Sequence, residues 1–381
     1  MKFIIKKSMI YLVIISSVLN ISCANKNITS NANQPKYSLE LIKEDGYAIE
    51  SNAYIYDGMM RITNGKEGNE KRYGYMDILG KVAIEPIYLN TVSFSEGLAF
   101  VKVESEKGYY INKEGDVLIE KVDGESLGFG DLFRSGYAVV YSQAEINGVP
   151  DIKVINNKGE VLFSSEITEY VYSNIGNGYF EKFAPSDYKA RKIVDFSEKI
   201  IYSNGASLIF PSSDGSGFYT FDYIVYGIVH DNTFNEPIFQ SISKFGDNRA
   251  LVVDLDGSAY LIDSEGNKKS NLSEVYPNID KSNLNVFSNG IVALNFSDDQ
   301  TSIIIDTEGL FVKDTDLNHI FSYENGIALY MENGKYGYVD EVGNIILEAL
   351  YDGATNCSDG IGFVRKEEQW YRFELISLGN H

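Results

Sequence analysis

Apolar and turn-forming positions alternate along this chain in two recurring phrases. The first is a turn residue followed by a short apolar run, as in Phe94-Ser-Glu-Gly97-Leu-Ala-Phe-Val101, Ser288-Asn-Gly290-Ile-Val-Ala-Leu294, Glu324-Asn-Gly326-Ile-Ala-Leu-Tyr330 and Ser358-Asp-Gly360-Ile-Gly-Phe-Val364. Aligning the turn residue gives Gly58, Gly97, Gly136, Gly178, Gly217, Asn248, Gly290, Gly326 and Gly360, spaced 31 to 42 residues apart. Asn248 can stand for Gly because Asn tolerates a left-handed backbone. The second phrase falls between these turns. It places Asp or Asn three residues before Gly at Asp77, Asn112, Asn156, Asp263, Asp306 and Asp340, between short apolar runs. That spacing suits a type I turn leading into a residue with positive φ, and hence a β-hairpin. Degraded copies are expected near Asp195 and Asp231.

Each repeat therefore predicts at least three short strands, with a weaker fourth in stretches such as 127–133. The run after each Gly lacks polar alternation, as in Arg249-Ala-Leu-Val-Val253, so it is expected to be covered on both faces. Small sheets stacked face to face supply that cover. About 40 residues per four-stranded unit is the spacing of a propeller blade. The fold expected is all-β, a closed β-propeller of seven or eight blades; an open β-solenoid or stack of small sheets is the alternative. Closure would pair residues 50–75 with residues 360–376 of the final unit, leaving no free sheet edge.

The two phrases resemble the WG-repeat family of bacterial proteins. The resemblance rests on Arg72-Tyr-Gly-Tyr-Met-Asp77-Ile-Leu-Gly80-Lys-Val-Ala-Ile84-Glu-Pro86-Ile-Tyr88, then Phe94-Ser-Glu-Gly97-Leu-Ala99, and on 335–347 followed by Tyr351-Asp352 and Gly360. Tyr73 and Tyr336 stand where that family has its Trp. Residues 165–245 match poorly. The family is defined by its repeat, so the resemblance implies architecture and not chemistry.

Residues 1–22 resemble a bacterial lipoprotein signal: Lys2, Lys6 and Lys7, a short apolar core over 9–18, and Ser22 before Cys23. The core is too short for a membrane span. The resemblance implies acylation of Cys23, a polar tether over 23–36, and a single WG-like repeat domain over 37–381. The address expected is extracytoplasmic and lipid-anchored to the cell envelope, in the outer membrane of a Gram-negative or spirochaetal cell. Cys357 is the other of two cysteines, so no disulfide is expected in the mature chain. A net charge of −21 repels nucleic acid and anionic headgroups, which argues against both as partners.

Little catalytic chemistry is written in the chain. His230, His319 and His381 have no metal-ligand spacing. Asp254-Leu-Asp256-Gly257 resembles the opening of a calcium loop, yet it reads more simply as a hairpin turn. Gly97, Gly136, Gly290, Gly326 and Gly360, with Asp77, Asp263, Asp306 and Asp340, recur because turn geometry needs them. Glu367-Glu368 and Asp298-Asp299 fall at hairpin tips. Tyr73, Tyr75, Tyr336 and Tyr338 are expected to pack between units. No catalytic residue and no cofactor is expected. The function expected is a membrane-anchored module binding a protein or a glycan. The alternatives are a structural component of envelope assembly and a hydrolase with carboxylates converging in a central channel.

Overall fold

A computed structural model describes residues 36–43, 46–104, 107–143, 151–167, 169–212, 214–297 and 301–377. Among them strand is the dominant regular structure of the chain. Its helices are one turn at Leu272–Val275 and a 3-10 turn at Gly68–Glu70.

Nine repeat units follow one another: unit 1 over 48–88, unit 2 over 90–119, unit 3 over 121–166, unit 4 over 171–202, unit 5 over 207–234, unit 6 over 239–271, unit 7 over 279–314, unit 8 over 319–351 and unit 9 over 353–377. Each runs as a four-step antiparallel meander, or close to it. The strand that sequence left weakest is real, and it comes first: Glu125–Gly130 precedes the Gly136 turn and pairs with Tyr137–Ser142. By hydrogen bonding the units form seven sheets, because two pairs of units are joined edge to edge. Leu127 pairs with Gly108 between units 2 and 3, and Tyr226 with Phe239 between units 5 and 6.

The ring closes, but with nine units where seven or eight blades were expected, and through an earlier strand than the expected 50–75, whose strands pair within unit 1. Lys36–Leu41 pairs along Gln369–Ser377 and supplies the outer strand of unit 9. Ile42, Ile49, Met60 and Ile62 then pack with Phe363 and Trp370, so unit 9 also lies against unit 1. The chain is a closed β-propeller.

Alternation along the strand after each turn explains why that strand has no polar face. In Arg249–Asp254, Ala250 and Val252 join the core shared with unit 5, whereas Leu251 and Val253 join the core shared with unit 7. Leu98 and Phe100 face unit 3, and Ala99 and Val101 face unit 1. A period of two thus sends successive side chains into successive seams. Every seam holds such a cluster, nine among the described residues. Each buried Phe, Leu or Val there contributes roughly 1.5–3 kcal/mol of transfer free energy.

Tyrosine adds direction to the seams. The hydroxyls of Tyr75, Tyr110 and Tyr338 donate to the carbonyls of Val92, Asp131 and Thr355, at 2.6, 2.6 and 2.9 Å, on the first strand of the next unit. All three side chains are buried, which satisfies a polar tip at the end of a large apolar ring. Burial pushes all three phenols well above their ordinary range. Glycine beside them is required: a Cβ on Gly74 or Gly337 would collide with the backbone of the fourth strand at Ile84 or Leu347.

First strands touch one another around the circle and so form its inner wall. The Asn356 side chain bonds both backbone groups of Ile55, Ser95 Oγ donates to the Phe133 carbonyl, and Arg134 Nη1 donates to the Asn174 carbonyl. Hairpins alternate ends, so the Gly turns and the Asp turns share one face of the ring. Loops between second and third strands, and the linkers between units, share the other.

Removing residues 1–41 leaves Gln369–Ser377 as an open strand edge. The expected outcome is a lower melting temperature and self-association in light scattering. A truncated protein that stays monomeric and equally stable contradicts closure by this strand.

Candidate binding surface

The recurring turn residues are structural. Gly97, Gly136, Gly290, Gly326 and Gly360 have φ of 78 to 82°, and the residues before them, Glu96, Ser135, Asn289, Asn325 and Asp359, have φ of 51 to 55°. Two consecutive positive values define the type I′ hairpin turn. Asn248 meets the same demand with φ 58°. Gly217 does not, and its alignment is corrected. It lies in the strand Gly217–Thr220, while the glycine with positive φ at that turn is Gly215, at 83°.

Neighbouring turns are tied together. Asp57 accepts from the Gly97 amide at 2.6 Å, Glu96 from the Ser135 and Gly136 amides at 2.6 and 2.7 Å, and Asp247 from the Gly290 amide at 2.7 Å. The Asp series works within its own hairpin. Oδ1 of Asp77, Asp263, Asp306 and Asp340 accepts from the amides two and four residues on, at 2.7 to 3.1 Å. Asp195 does the same at 2.9 and 3.0 Å, so the degraded copy keeps the turn.

Asp254 and Asp256 also sit in a hairpin turn. Asp254 pairs with Lys268 at 2.5 Å, and Asp256 accepts from the Ser258 amide at 2.8 Å. Among the described residues no group of three or more His, Cys, Asp or Glu is placed to hold a metal. Trp370 is 2% exposed in the closing seam. Glu367 and Glu368 form a hairpin tip with positive φ. Cys23, His381 and Asp298-Asp299 lie outside the described residues. Tyr73 and Tyr336 are half-buried, with Arg61 and Lys71 over the Tyr73 ring.

One contact escaped sequence reasoning. His230 Nδ1 lies 2.9 Å from Ser216 Oγ, and His230 Nε2 lies 3.7 Å from Asp231. The order resembles a hydrolytic triad. However, Ser216 is only 4% exposed and the Asp231 side chain is 86% exposed, so the hydroxyl is shielded and the carboxylate is not held. A triad needs the reverse.

Three cavities among the described residues bear on binding. One of about 230 Å³ opens where units 8, 9 and 1 meet, lined by Tyr54, Phe321, Glu324, Leu329, Asn356 and Cys357. Glu324 accepts from Tyr54 at 2.5 Å and from Asn356 at 2.9 Å. A second of about 310 Å³ is lined by first-strand and neighbouring residues of units 5 to 7, including Phe210, Tyr226, Gln240 and Leu284. The largest of the three, about 590 Å³, lies between units 4 and 5 on the linker face. Lys189, Arg191, Asn204, Gly205, Phe221, Asp222 and Tyr223 line it. None of the three brings two carboxylates together, as a hydrolase of the kind considered above would require.

Two predictions follow from these groups. Burial pushes the Asp263 carboxyl up, but the Lys269 ammonium and the Asn267 amides outweigh it and hold the group at about 2. Its folded value thus lies below the unfolded value near 3.9. The stability it contributes is fully present above about pH 4 and is lost as pH falls toward about 2. Denaturation of wild type and Asp263→Ala should therefore differ at pH 6 and converge under acid; a constant difference contradicts the pairing. Burial, followed by repulsion from Glu324, pushes the Cys357 thiol up to about 12. At pH 8 it should resist iodoacetamide in the native protein and react only in urea; native labelling at the rate of a free thiol contradicts that burial.

The comparisons with known proteins bear on the repeat. The WG containing repeat matches residues 73–106 and 336–370. Each matched segment begins on the third strand of one unit and runs through the second strand of the next. Each therefore contains a whole Tyr-to-carbonyl link, Tyr75 to Val92 or Tyr338 to Thr355. No curated protein sequence matches the chain. Among solved structures, BamB from Moraxella catarrhalis is similar over 91% of this chain and 99% of its own, at 9% identity and a TM-score of 0.38. The C-terminal WD40 domain of Sif2 is similar over 91% and 99%, at 12% identity and 0.38. A eukaryotic initiation factor is similar over 77% and 86%, at 12% identity and 0.47. Two segments of this chain, one in its first third and one in its last, are thus similar to the WG containing repeat.

Proposed function

We propose that this chain is a lipid-anchored, extracytoplasmic binding module that recognises a protein or a glycan and catalyses no reaction. The observation that carries this reading is the chemistry of the cavity between units 4 and 5. Exposed rings, two cations and an amide converge there on a rigid scaffold, with no nucleophile beside a base. Rings with a few placed polar groups are what recognition uses. That cavity also falls within 165–245, where the repeat pattern is weakest. A local departure from an otherwise consistent pattern is expected at functional sites.

The anchor is the acylated Cys23, whose chains contribute ~0.8 kcal/mol per methylene buried in the bilayer. Among the described residues no helix is long and apolar enough to cross a membrane. Lys36 pairs with Ser377 at the end of a third strand, so the chain enters the ring on the Gly-turn face. The cavity opens on the opposite face. An anchor before Lys36 therefore leaves the cavity side turned away from its point of attachment.

Cys23→Ser should move the protein from the detergent phase to the aqueous phase in a partition experiment and leave the melting temperature unchanged. Partition that does not change removes the anchor. Pull-downs from native envelope extract, with glycan and peptide arrays, test recognition itself; failure to enrich any species in all three sinks the binding reading.

A further inference from the structure

In a protein whose net charge is −21, the cavity between units 4 and 5 is lined by two cations, Lys189 and Arg191, against one carboxylate, Asp222. Resting on the binding reading above, we propose that it takes a saccharide bearing a carboxylate, such as a uronic acid. The sugar would lie against Phe221 and Tyr223, with its acid on Lys189 and Arg191.

Arg191 is fixed before any ligand arrives. Its Nη1 donates to Ser207 Oγ, which in turn lies 2.8 Å from the Tyr223 hydroxyl. Its Nε lies 3.6 Å from Glu181, and the side chains are 11% and 9% exposed. Its guanidinium centre sits 5.5 Å from the Phe183 ring centroid and 5.8 Å from that of Tyr223. A guanidinium has five N–H donors, more than these partners take. Nε itself is buried with no hydrogen-bond partner. Holding a charged fork in one rotamer lowers the entropy cost of engaging an anion. Lys189 is exposed at the rim and forms no ion pair among the described residues. Gly205, with φ 84°, brings the linker against the Lys189 carbonyl, an approach that a Cβ would block.

The aromatic wall is held open by its own loop. Asp222 Oδ1 accepts from the Ile224 and Val225 amides at 2.9 and 3.2 Å. That turn leaves Phe221 and Tyr223 55% and 53% exposed, with Tyr223 at a positive φ of 61°. A bulky side chain in that conformation is strained, and the loop sustains the strain to display the ring. Such rings offer flat apolar faces to the C–H side of a sugar. Asn204 and the remaining oxygen of Asp222 offer partners to hydroxyls.

An acidic peptide fits less well. It would bring carboxylates to Lys189 and Arg191 but no hydroxyls for Asn204 and Asp222. A neutral sugar would leave both cations unused. Overall negative charge does not forbid the contact, because screening confines it to about 8 Å at physiological salt while the cations touch the ligand directly.

The test is titration calorimetry of the full chain in detergent, with a galacturonic acid trimer, a galactose trimer and a poly-glutamate peptide. Expected is at least tenfold tighter binding of the acidic trimer than of the neutral one. Lys189→Glu should abolish that preference without changing the melting temperature, and Tyr223→Ser should weaken both trimers. Arg191→Lys gives a second reading of the acid contact should Lys189→Glu prove unstable. Equal affinity for the two trimers, or a preference unaffected by Lys189→Glu, overturns the carboxylate. Binding of the peptide alone overturns the saccharide while leaving a binding module. No binding of any probe, together with capture of a partner from envelope extract, likewise overturns the saccharide alone. No binding anywhere removes the module as well.

Discussion

Every other feature of this ring depends on strands that have no outside. A strand such as Arg249–Asp254 sends alternate side chains to the unit before and to the unit after, so neither neighbour can be dispensed with. The same constraint makes an open end costly: a terminal unit would present a full apolar face to water. The chain resolves this by sharing unit 9 between its first and last described strands. Stability is therefore a property of seams and not of units. No disulfide helps, since Cys357 is buried and alone among the described residues.

Polar groups serve that arrangement before they serve anything else. Buried tyrosines end on backbone carbonyls of the next unit, and turn carboxylates end on backbone amides. A chain rich in Tyr and acid is thus largely accounted for by satisfied backbone groups. What stands out is the remainder. The cations and exposed rings between units 4 and 5 close no turn and fill no seam core, apart from the edges that fix Arg191.

Much of this was legible in residue order because turns impose local demands. Positive φ requires Gly, Asn or Asp, which is why Gly136, Gly290 and Asn248 could be aligned by eye. Unit 5 was misread because Gly215 and Gly217 both flank its turn, and only backbone geometry tells which carries the left-handed bend. The inner strands were faint for a different reason. They are short and carry buried amides such as Asn285 and Asn356, whose partners lie one or more units away. The cavity was not legible at all. Lys189, Arg191, Asn204 and Tyr223 come from a strand, a linker and a hairpin loop, and no spacing rule joins them. Sequence excelled where the next few residues decide the outcome and failed where neighbouring sheets decide it.

Closure by the first strand also sets an order of events in time. During synthesis Lys36–Leu41 emerges early, yet its partner Gln369–Ser377 is the last described strand to appear. Until then the nascent chain carries an unmatched apolar edge, and the contact that completes it spans nearly the whole polypeptide. Such long-range pairing is slow and exposes sticky intermediates to one another. The circle therefore stays unsealed until its last described strand has formed and met its first.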